Sequence, residues 1–109
     1  MTESKIQGEI ITFYRNTKCL KHHFPRCLIF SVPNEGKNPK EQACKIATGL
    51  MSGVSDLIVI NETGVHFIEV KDAKGTQKPK QIEFQYAIEQ LGFNYHLVRS
   101  LEQFKSLNL

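Results

Sequence analysis

The middle of the chain reads Gly53-Val54-Ser55-Asp56-Leu57-Ile58-Val59-Ile60-Asn61-Glu62-Thr63-Gly64-Val65-His66-Phe67-Ile68-Glu69-Val70-Lys71. It contains two apolar runs rich in β-branched residues, which the sequence Asn-Glu-Thr-Gly separates. This pattern predicts two β-strands joined by a tight hairpin. A symmetric loop of two or four residues would place Ile60 of the first strand opposite Val65 of the second.

The same register brings two acidic residues together. It pairs Asp56 with Glu69 on one face of the sheet, with Cβ atoms roughly 4.5–5.5 Å apart. Lys71 lies two positions after Glu69 and therefore points to that same face. A loop of odd length would place Asp56 on the other face, and the two carboxylates would then not meet.

Two carboxylates that face each other repel, and this repulsion destabilises a hairpin. A divalent cation with hard oxygen ligands would offset the cost. Lys71 could balance part of the charge, or orient and activate a water that attacks a phosphate. The alternative is a solvated sheet face on which Asp, Glu and Lys are simply exposed to water. The residues alone leave both interpretations open.

Length and composition limit the class of protein. A chain of 109 residues predicts a single domain, residues 1–109, with its own hydrophobic core. The formal net charge of +3 permits binding to nucleic acid but does not by itself indicate it. No apolar run approaches the ~18 residues of a membrane span, and the N-terminal residues lack the apolar segment of a signal peptide. We therefore expect a cytosolic protein with no membrane partner.

The cysteines predict no disulfide framework. Cys19, Cys27 and Cys44 are odd in number and show no CxxC spacing, which is typical of reduced thiols in a cytosolic protein. Cys19, His22, His23 and Cys27 could be written as a zinc site, but their spacing matches no standard zinc motif. We favour surface histidines and packed thiols.

Helical periodicity and capping signals predict the remaining elements. They are a helix from Glu3 to about Lys18, a strand Arg26–Val32, a helix from Pro39 to about Met51, the two hairpin strands, a helix from Pro79 to Leu91, a strand Phe93–Arg99, and a short last helix after a Ser100-x-x-Gln103 capping box. The order α-β-α-β-β-α-β-α predicts an α/β fold of three layers, with helices on both faces of a central mixed sheet.

Each predicted helix carries apolar residues at helical spacing. They are Ile6, Ile10, Phe13 and Tyr14 in the first helix, Ala43, Ile46, Ala47 and Leu50 in the second, Ile82, Tyr86 and Leu91 in the third, and Leu101, Phe104 and Leu107 in the last. We expect the apolar residues of the first and third helices to face the core.

The segment after the acidic pair is rich in lysine. Lys71, Lys74, Lys78 and Lys80 surround a loop that leads into the third helix. Such a charge run is usually a solvated loop, although beside an acidic pair it could also bind a phosphate backbone. Near the start of the helix, two glutamines, residues 81 and 85, share one face, which local spacing explains as plain helix surface.

The sequence combines an Asp, a short hairpin, Glu-x-Lys and a helix that opens with Gln. With this pattern the chain resembles the VRR-NUC (virus-type replication-repair nuclease) domains of the PD-(D/E)XK nuclease superfamily. The resemblance covers almost the whole chain. The chain is most similar to the stand-alone versions of these domains from phages and bacteria. The matching residues are Glu3-x-x-Ile6-Gln7, Val32-Pro33-Asn34-Glu35-Gly36-Lys37, Gly49, Gly53-Val54-Ser55-Asp56-Leu57, Ile68-Glu69-Val70-Lys71, Gly75, Gln81 and Gly92.

The resemblance implies a restriction-endonuclease-like fold and a role for each matching side chain. Asp56 and Glu69 would bind Mg²⁺ or Mn²⁺, with the carbonyl oxygen of Val70 as a further ligand. Lys71 would act on the nucleophilic water, and Gln81 would support the site.

Glu3 is explained locally as a negative charge in the first turn of a helix capped by Thr2. By the resemblance it would join the site through a metal-bound water. Lys37 and the three lysines after residue 71, Lys74, Lys78 and Lys80, are assigned to DNA.

The function implied is a metal-dependent endonuclease that cleaves branched DNA, including flaps and four-way (Holliday) junctions, in replication and repair. It would act as a homodimer in the cytoplasm of a bacterial or phage-infected cell. Candidate dimer contacts are the last helix and the region of Phe24. The alternative is a non-catalytic accessory protein that binds nucleic acid with the same fold.

Overall fold

The computed structural model describes residues 1–33 and 38–109. The elements follow the predicted order: α1 (Glu3–Lys18), β1 (Leu28–Ser31), α2 (Pro39–Ala47), β2 (Leu57–Asn61), β3 (Gly64–Val70), α3 (Pro79–Gln90), β4 (Asn94–Val98) and α4 (Leu101–Ser106). Lys37, with the rest of the Asn-Glu-Gly-Lys motif, lies outside the described residues. No helix in the described ranges is both long and apolar enough to cross a membrane.

The four strands form one mixed sheet in the order β1-β2-β3-β4. β1 pairs with β2 and β2 with β3 in antiparallel fashion, whereas β3 and β4 are parallel. A parallel pair needs a crossover connection, and α3 supplies it. The predicted α/β fold with a central mixed sheet flanked by helices is confirmed.

The hairpin has the predicted register. Ile60 pairs with Val65 and Asn61 with Gly64, so the loop between the strands has two residues. The Asn61 side chain closes the turn, because its Oδ1 accepts a hydrogen bond from the backbone N–H of Thr63 at 2.9 Å. Gly64 follows with a φ of 123°, which favours glycine.

α1 and α4 cover one face of the sheet. Ile6, Ile10 and Tyr14 of α1 are buried as predicted, and Phe13 packs at the edge of this core. Phe104 of α4 is 2% exposed. The strand residues of the cluster are Ile29, Leu57, Val59, Ile68, Val70 and Val98. The core therefore lies between the sheet and the first and last helices.

α3 packs on the opposite face, over β3 and β4. The Phe84 ring lies edge-on to Phe67, with centroids 5.6 Å apart, and at 6.3 Å from Tyr95. Ile88, one turn after Phe84, is buried. These contacts define which side of α3 faces the sheet.

The prediction that Ile82, Tyr86 and Leu91 face inward is wrong. Their exposed fractions are 53%, 66% and 71%. The buried side of α3 instead carries Phe84 and Ile88 together with Gln81 and Gln85, so part of its inner face is polar. Apolar spacing therefore pointed to the wrong side of the helix.

The second helix is shorter than predicted. It spans Pro39–Ala47, ends at the Thr48 cap and is followed by Gly49, whose φ of 117° does not continue a helix. None of its residues is buried, and Ile46 is 52% exposed. Its modest apolar stripe consequently forms no part of the core.

Gly53 provides a test of how the segment before β2 meets α3. Its φ is 84°, and a Cβ atom there would collide with the backbone carbonyl of Lys80 in the first turn of α3. We predict that Gly53→Ala lowers the free energy of unfolding by at least about 2 kcal/mol, from backbone strain plus the collision. Urea denaturation measures this.

Two other glycines serve as controls. Gly64 has a φ of 123°, but no described atom lies within 4 Å of a Cβ atom built there. The loss of unfolding free energy in Gly64→Ala should therefore reflect the backbone conformation alone. Gly8 lies inside α1, and no described atom is within 4 Å of a Cβ atom built there. Because alanine favours the helix over glycine, Gly8→Ala should raise the free energy of unfolding by up to about 1 kcal/mol. If Gly53→Ala costs no more than Gly64→Ala, the close approach to α3 does not exist.

Candidate active site

Asp56 lies immediately before β2, where the ladder with β3 ends at the pair Leu57–Ile68. One further step in this register sets Asp56 opposite Glu69, as predicted. The backbone N–H of Val70 donates a hydrogen bond to Asp56 Oδ2 at 2.8 Å. The partner strand therefore fixes the orientation of the Asp56 carboxylate.

Glu69 is a buried carboxylate with few partners. It is 2% exposed. Its Oε2 accepts a hydrogen bond from Gln81 Nε2 at 3.2 Å and lies 3.8 Å from Lys71 Nζ. Within residues 1–33 and 38–109, its Oε1 is buried and has no hydrogen-bond partner. An unpaired buried acceptor of this kind is costly, and it marks a position where a ligand would be stabilised.

Burial, and after it the negative charge of Asp56, raise the pKa of Glu69 to about 8. The Lys71 ammonium opposes this effect, whereas Glu3 adds to it. Near neutral pH, Glu69 therefore holds a proton much of the time when no cation is bound. Such a shift, caused by burial and a second carboxylate, is typical of functional sites.

Lys71 is also buried, at 6% exposure. Its backbone N–H donates to the carbonyl of Val98 at 3.0 Å, which extends the pairing of β3 with β4. The burial of Glu69 and Lys71 argues against the alternative of a solvated sheet face. The two side chains form an ion pair on the α3 side of the sheet.

Gln81 is held at both ends of its amide group. Its Oε1 accepts a hydrogen bond from the Lys78 backbone N–H at 2.8 Å, while its Nε2 donates to Glu69. Because the first bond orients the amide, its N–H points to the carboxylate. The structure thus places Gln81 beside the acidic pair, where the resemblance assigns it.

Glu3 lies at the start of α1, after the Thr2 cap whose hydroxyl accepts a hydrogen bond from Lys5 N at 3.2 Å. Its side chain is exposed. Its charge is near enough to Glu69 to contribute to the raised pKa of that group. The structure brings Glu3 to the edge of the site.

Three polar residues near the site were not predicted. Gln77 Nε2 donates to Gln85 Oε1 at 2.8 Å and to the Tyr95 hydroxyl at 3.3 Å. Burial and then the negative charge of Glu69 raise the pKa of Tyr95. The i, i+4 spacing of Gln81 and Gln85 was the available sequence signal, since both lie on one helix face.

Lys74, Lys78 and Lys80 are exposed around the loop that leaves the site and enters α3. Lys80 Nζ lies 3.4 Å from Glu83 Oε2, an exposed pair that contributes little to stability. The loop is therefore a basic surface next to the acidic pair, which is the arrangement expected of a phosphate-backbone contact.

The oxygen donors of the acidic pair fit the metal ion that the resemblance implies. Within residues 1–33 and 38–109, no group of three or more His, Cys, Asp or Glu side chains is arranged to hold a metal ion. Asp56 and Glu69 supply two carboxylates, and Glu69 Oε1 accepts no hydrogen bond from the part of the chain that the structure describes. Carboxylate and backbone carbonyl oxygens fit Mg²⁺ or Mn²⁺.

The histidines and cysteines near the N-terminal connection have other contacts. The rings of His22 and His23 lie 4.3 Å apart, and His23 Nδ1 accepts a hydrogen bond from Leu20 N. Cys27 is buried, and its thiol faces Glu62 Oε1 at 3.6 Å. These are the contacts of surface histidines and a packed thiol.

Comparison with known proteins supports the fold. A solved structure titled "VRR_NUC domain protein" superimposes with a TM-score of 0.76 and 20% identity, over 99% of this chain and 85% of that one. A second, titled "VRR_NUC domain", gives a TM-score of 0.61 and 23% identity, over 99% and 96%. No protein-family model and no curated protein matches the chain. The protein thus has the fold of VRR_NUC domain proteins, and the predicted resemblance is confirmed at the level of fold.

The raised pKa of Glu69 predicts a pH-dependent stability of the metal-free protein. Because the folded-state pKa lies above the ordinary value of 4.5, this stabilisation is complete below pH ~4.5 and is lost as the pH rises through about 8. Glu69→Gln should remove the loss, and at pH ~8.5 it should be more stable than the parent by a few kcal/mol.

Thermal melts in EDTA between pH ~5 and ~9 measure this difference. The comparison is made between the two proteins, since His66 and His96 have lowered pKa values from burial and add their own pH dependence to both. Parallel melting curves for parent and Glu69→Gln across this range would show that Glu69 is not held protonated in the fold.

Proposed function

We propose that the protein is a metal-dependent endonuclease that hydrolyses DNA phosphodiester bonds. The observation that carries the proposal is Glu69, a buried carboxylate with one oxygen to which no described residue forms a hydrogen bond. It lies opposite Asp56 and beside the buried Lys71. The fold shared with VRR_NUC domain proteins supports the same activity. A protein that only binds nucleic acid would gain nothing from two carboxylates that repel phosphate.

Each side chain has a distinct role in this proposal. Asp56, Glu69 and the carbonyl of Val70 would hold the Mg²⁺ or Mn²⁺ ion. When bound, the ion would polarise the phosphate and lower the pKa of water. Lys71 places a positive charge next to Glu69, where it can orient the attacking water or the phosphate. Gln81 fixes the Glu69 carboxylate through its oriented amide.

The substrate proposed is branched DNA, such as a flap or a four-way junction, cut in the cytoplasm during replication or repair. The exposed lysines of the loop after the site would hold its backbone phosphates. A four-way junction presents equivalent strands, so a two-fold homodimer would match its symmetry.

The last helix is the other candidate contact beside the region of Phe24. Its Phe104 is buried, and Leu101 and Leu107 pack against the chain's own core, which favours the alternative that one chain buries these residues itself. Phe24 is fully exposed and stays a candidate. Sedimentation at micromolar concentration tests the homodimer. A ~12.5 kDa monomer with and without junction DNA would contradict it.

A nuclease panel tests the activity. Single-strand, duplex, flap and four-way-junction DNA are incubated with Mg²⁺, Mn²⁺ or EDTA. We expect cleavage of the branched substrates with metal, none in EDTA, and none by Glu69→Gln. Binding of all substrates without cleavage under any metal condition would favour the non-catalytic accessory protein.

Lys71→Met tests the separation of roles. The lysine acts on water and phosphate in this proposal, so the variant should lose at least about 100-fold in turnover while it keeps most of its Mn²⁺ affinity. Calorimetric titration with Mn²⁺ measures the affinity. Loss of metal binding together with activity would mean that Lys71 instead holds the carboxylates in place.

The lysine loop makes a prediction about salt. A triple variant of Lys74, Lys78 and Lys80 to Ala should weaken binding alike for all sequences, and lower the slope of log K against log salt by about 0.9 for each lost contact on duplex DNA. The matched control replaces the exposed lysines 18, 21 and 105, which removes the same charge away from the site. Equal salt slopes in the two variants would mean that the lysine loop is a solvated surface and makes no phosphate contacts.

A further inference from the structure

We infer that Arg99 is a positioning residue for Lys71, through the loop that folds back over the lysine stem. The consequence for turnover rests on the proposed function, whereas the positioning itself does not. Arg99 follows β4 directly, and Lys71 follows β3, the parallel neighbour of β4. The two residues thus leave the sheet side by side.

Arg99 binds the loop at two points. Its Nη1 donates hydrogen bonds to the carbonyl oxygens of Asp72, at 2.6 Å, and Gly75, at 2.7 Å. One guanidinium nitrogen therefore joins the first and last residues of a four-residue turn. Hydrogen bonds from a charged donor are among the stronger ones, so this contact limits opening of the turn.

Asp72 closes the same turn from inside. Its Oδ1 accepts hydrogen bonds from the backbone N–H groups of Lys74, at 3.0 Å, and Gly75, at 2.6 Å. The carboxylate thus satisfies the inward N–H groups while Arg99 satisfies the carbonyls. Together they fix the path of residues 72–75.

The closed turn lies against the Lys71 side chain. A Cβ atom on Gly75 would be 3.4 Å from Lys71 Cδ and 3.1 Å from Asp72 Oδ1, so the glycine backbone is close to the lysine stem. Lysine has a flexible four-carbon stem, and packing of the turn removes part of that freedom. The ammonium is consequently held near Glu69 Oε2.

α4 fixes Arg99 in turn. Gln103 Oε1 accepts a hydrogen bond from the Arg99 backbone N–H at 2.6 Å, and Ser100 Oγ accepts one from Gln103 N at 3.1 Å. The predicted Ser-x-x-Gln capping box forms only in part, because Ser100 caps the helix but the Gln103 side chain bonds the backbone one residue before the cap. Gln103 therefore anchors the backbone from which the Arg99 side chain extends.

Chemical acylation of lysines, followed site by site by mass spectrometry in metal-free protein, tests the positioning. Arg99→Met and Asp72→Ala should each accelerate modification of Lys71 on the order of tenfold, the change expected when a charge-assisted hydrogen bond is lost. The exposed Lys80 is the internal reference. Arg26→Met is the matched control. Arg26 Nε also donates a hydrogen bond to a backbone carbonyl, that of Cys19, but far from Lys71 in the sequence, so this variant should leave the modification rate of Lys71 unchanged.

Alkylation of the buried Cys27 reports global unfolding in the same samples. Faster Lys71 modification with unchanged Cys27 modification supports the inference. Unchanged Lys71 modification in either folded variant overturns it. Should Arg99→Met unfold, Asp72→Ala decides alone, because it removes only the hydrogen bonds within the half-buried turn.

Turnover provides the second arm. Arg99→Met should lower kcat on the order of 10- to 100-fold with KM for DNA unchanged, and Arg99→Lys should recover part of kcat, because its ammonium can still reach a carbonyl. A rise in KM with unchanged kcat would overturn positioning and make Arg99 a DNA contact. If the parent protein cleaves no DNA, the proposed function fails, and the acylation result still decides the positioning.

Discussion

The register of the β2–β3 hairpin sets both the core and the position of the acidic pair. A two-residue loop between Asn61 and Gly64 sets Ile60 opposite Val65, and the same alignment continued leads to Asp56 and Glu69. Because side chains alternate between faces, a slip of one residue would turn Asp56 away from Glu69 and expose the apolar face that α1 covers. The pressure to bury that face therefore also fixes the distance between the two carboxylates.

The site combines this geometry with burial. Glu69 lies under α3, and Gln81 and Lys71 contact one of its oxygens, while the other has no hydrogen-bond partner among the described residues. An isolated buried carboxylate is costly, and the nearby Asp56 adds to the cost. In the metal-free protein this cost appears as the raised pKa of Glu69. A bound cation would neutralise both carboxylates at once, so the cost of holding the two carboxylates together favours cation binding.

The sequence predicted the parts of this arrangement that depend on short-range patterns. Strand alternation and the turn residues were sufficient for the hairpin, and Ser100 with Gln103 was sufficient for the start of α4. The inner face of α3 was mispredicted, although Phe84 and Ile88 lie there at i, i+4 spacing. Gln81 and Gln85 share that face, and polar residues in contact with a buried carboxylate weaken its apolar signal. The approach of Tyr95 to the site was not predictable, since the register of a parallel pair such as β3–β4 depends on the long crossover through α3 and not on a local turn.

If Asp56 and Glu69 together bind a cation, Glu69 must give up the proton that it holds in the metal-free protein. Calorimetric titration with Mn²⁺ at pH ~7, in two buffers of different ionisation enthalpy, measures the protons released on binding. We expect release of close to one proton for each Mn²⁺ bound, and loss of both binding and release in Glu69→Gln. Binding without proton release, or equal Mn²⁺ affinity in parent and Glu69→Gln, would contradict this expectation.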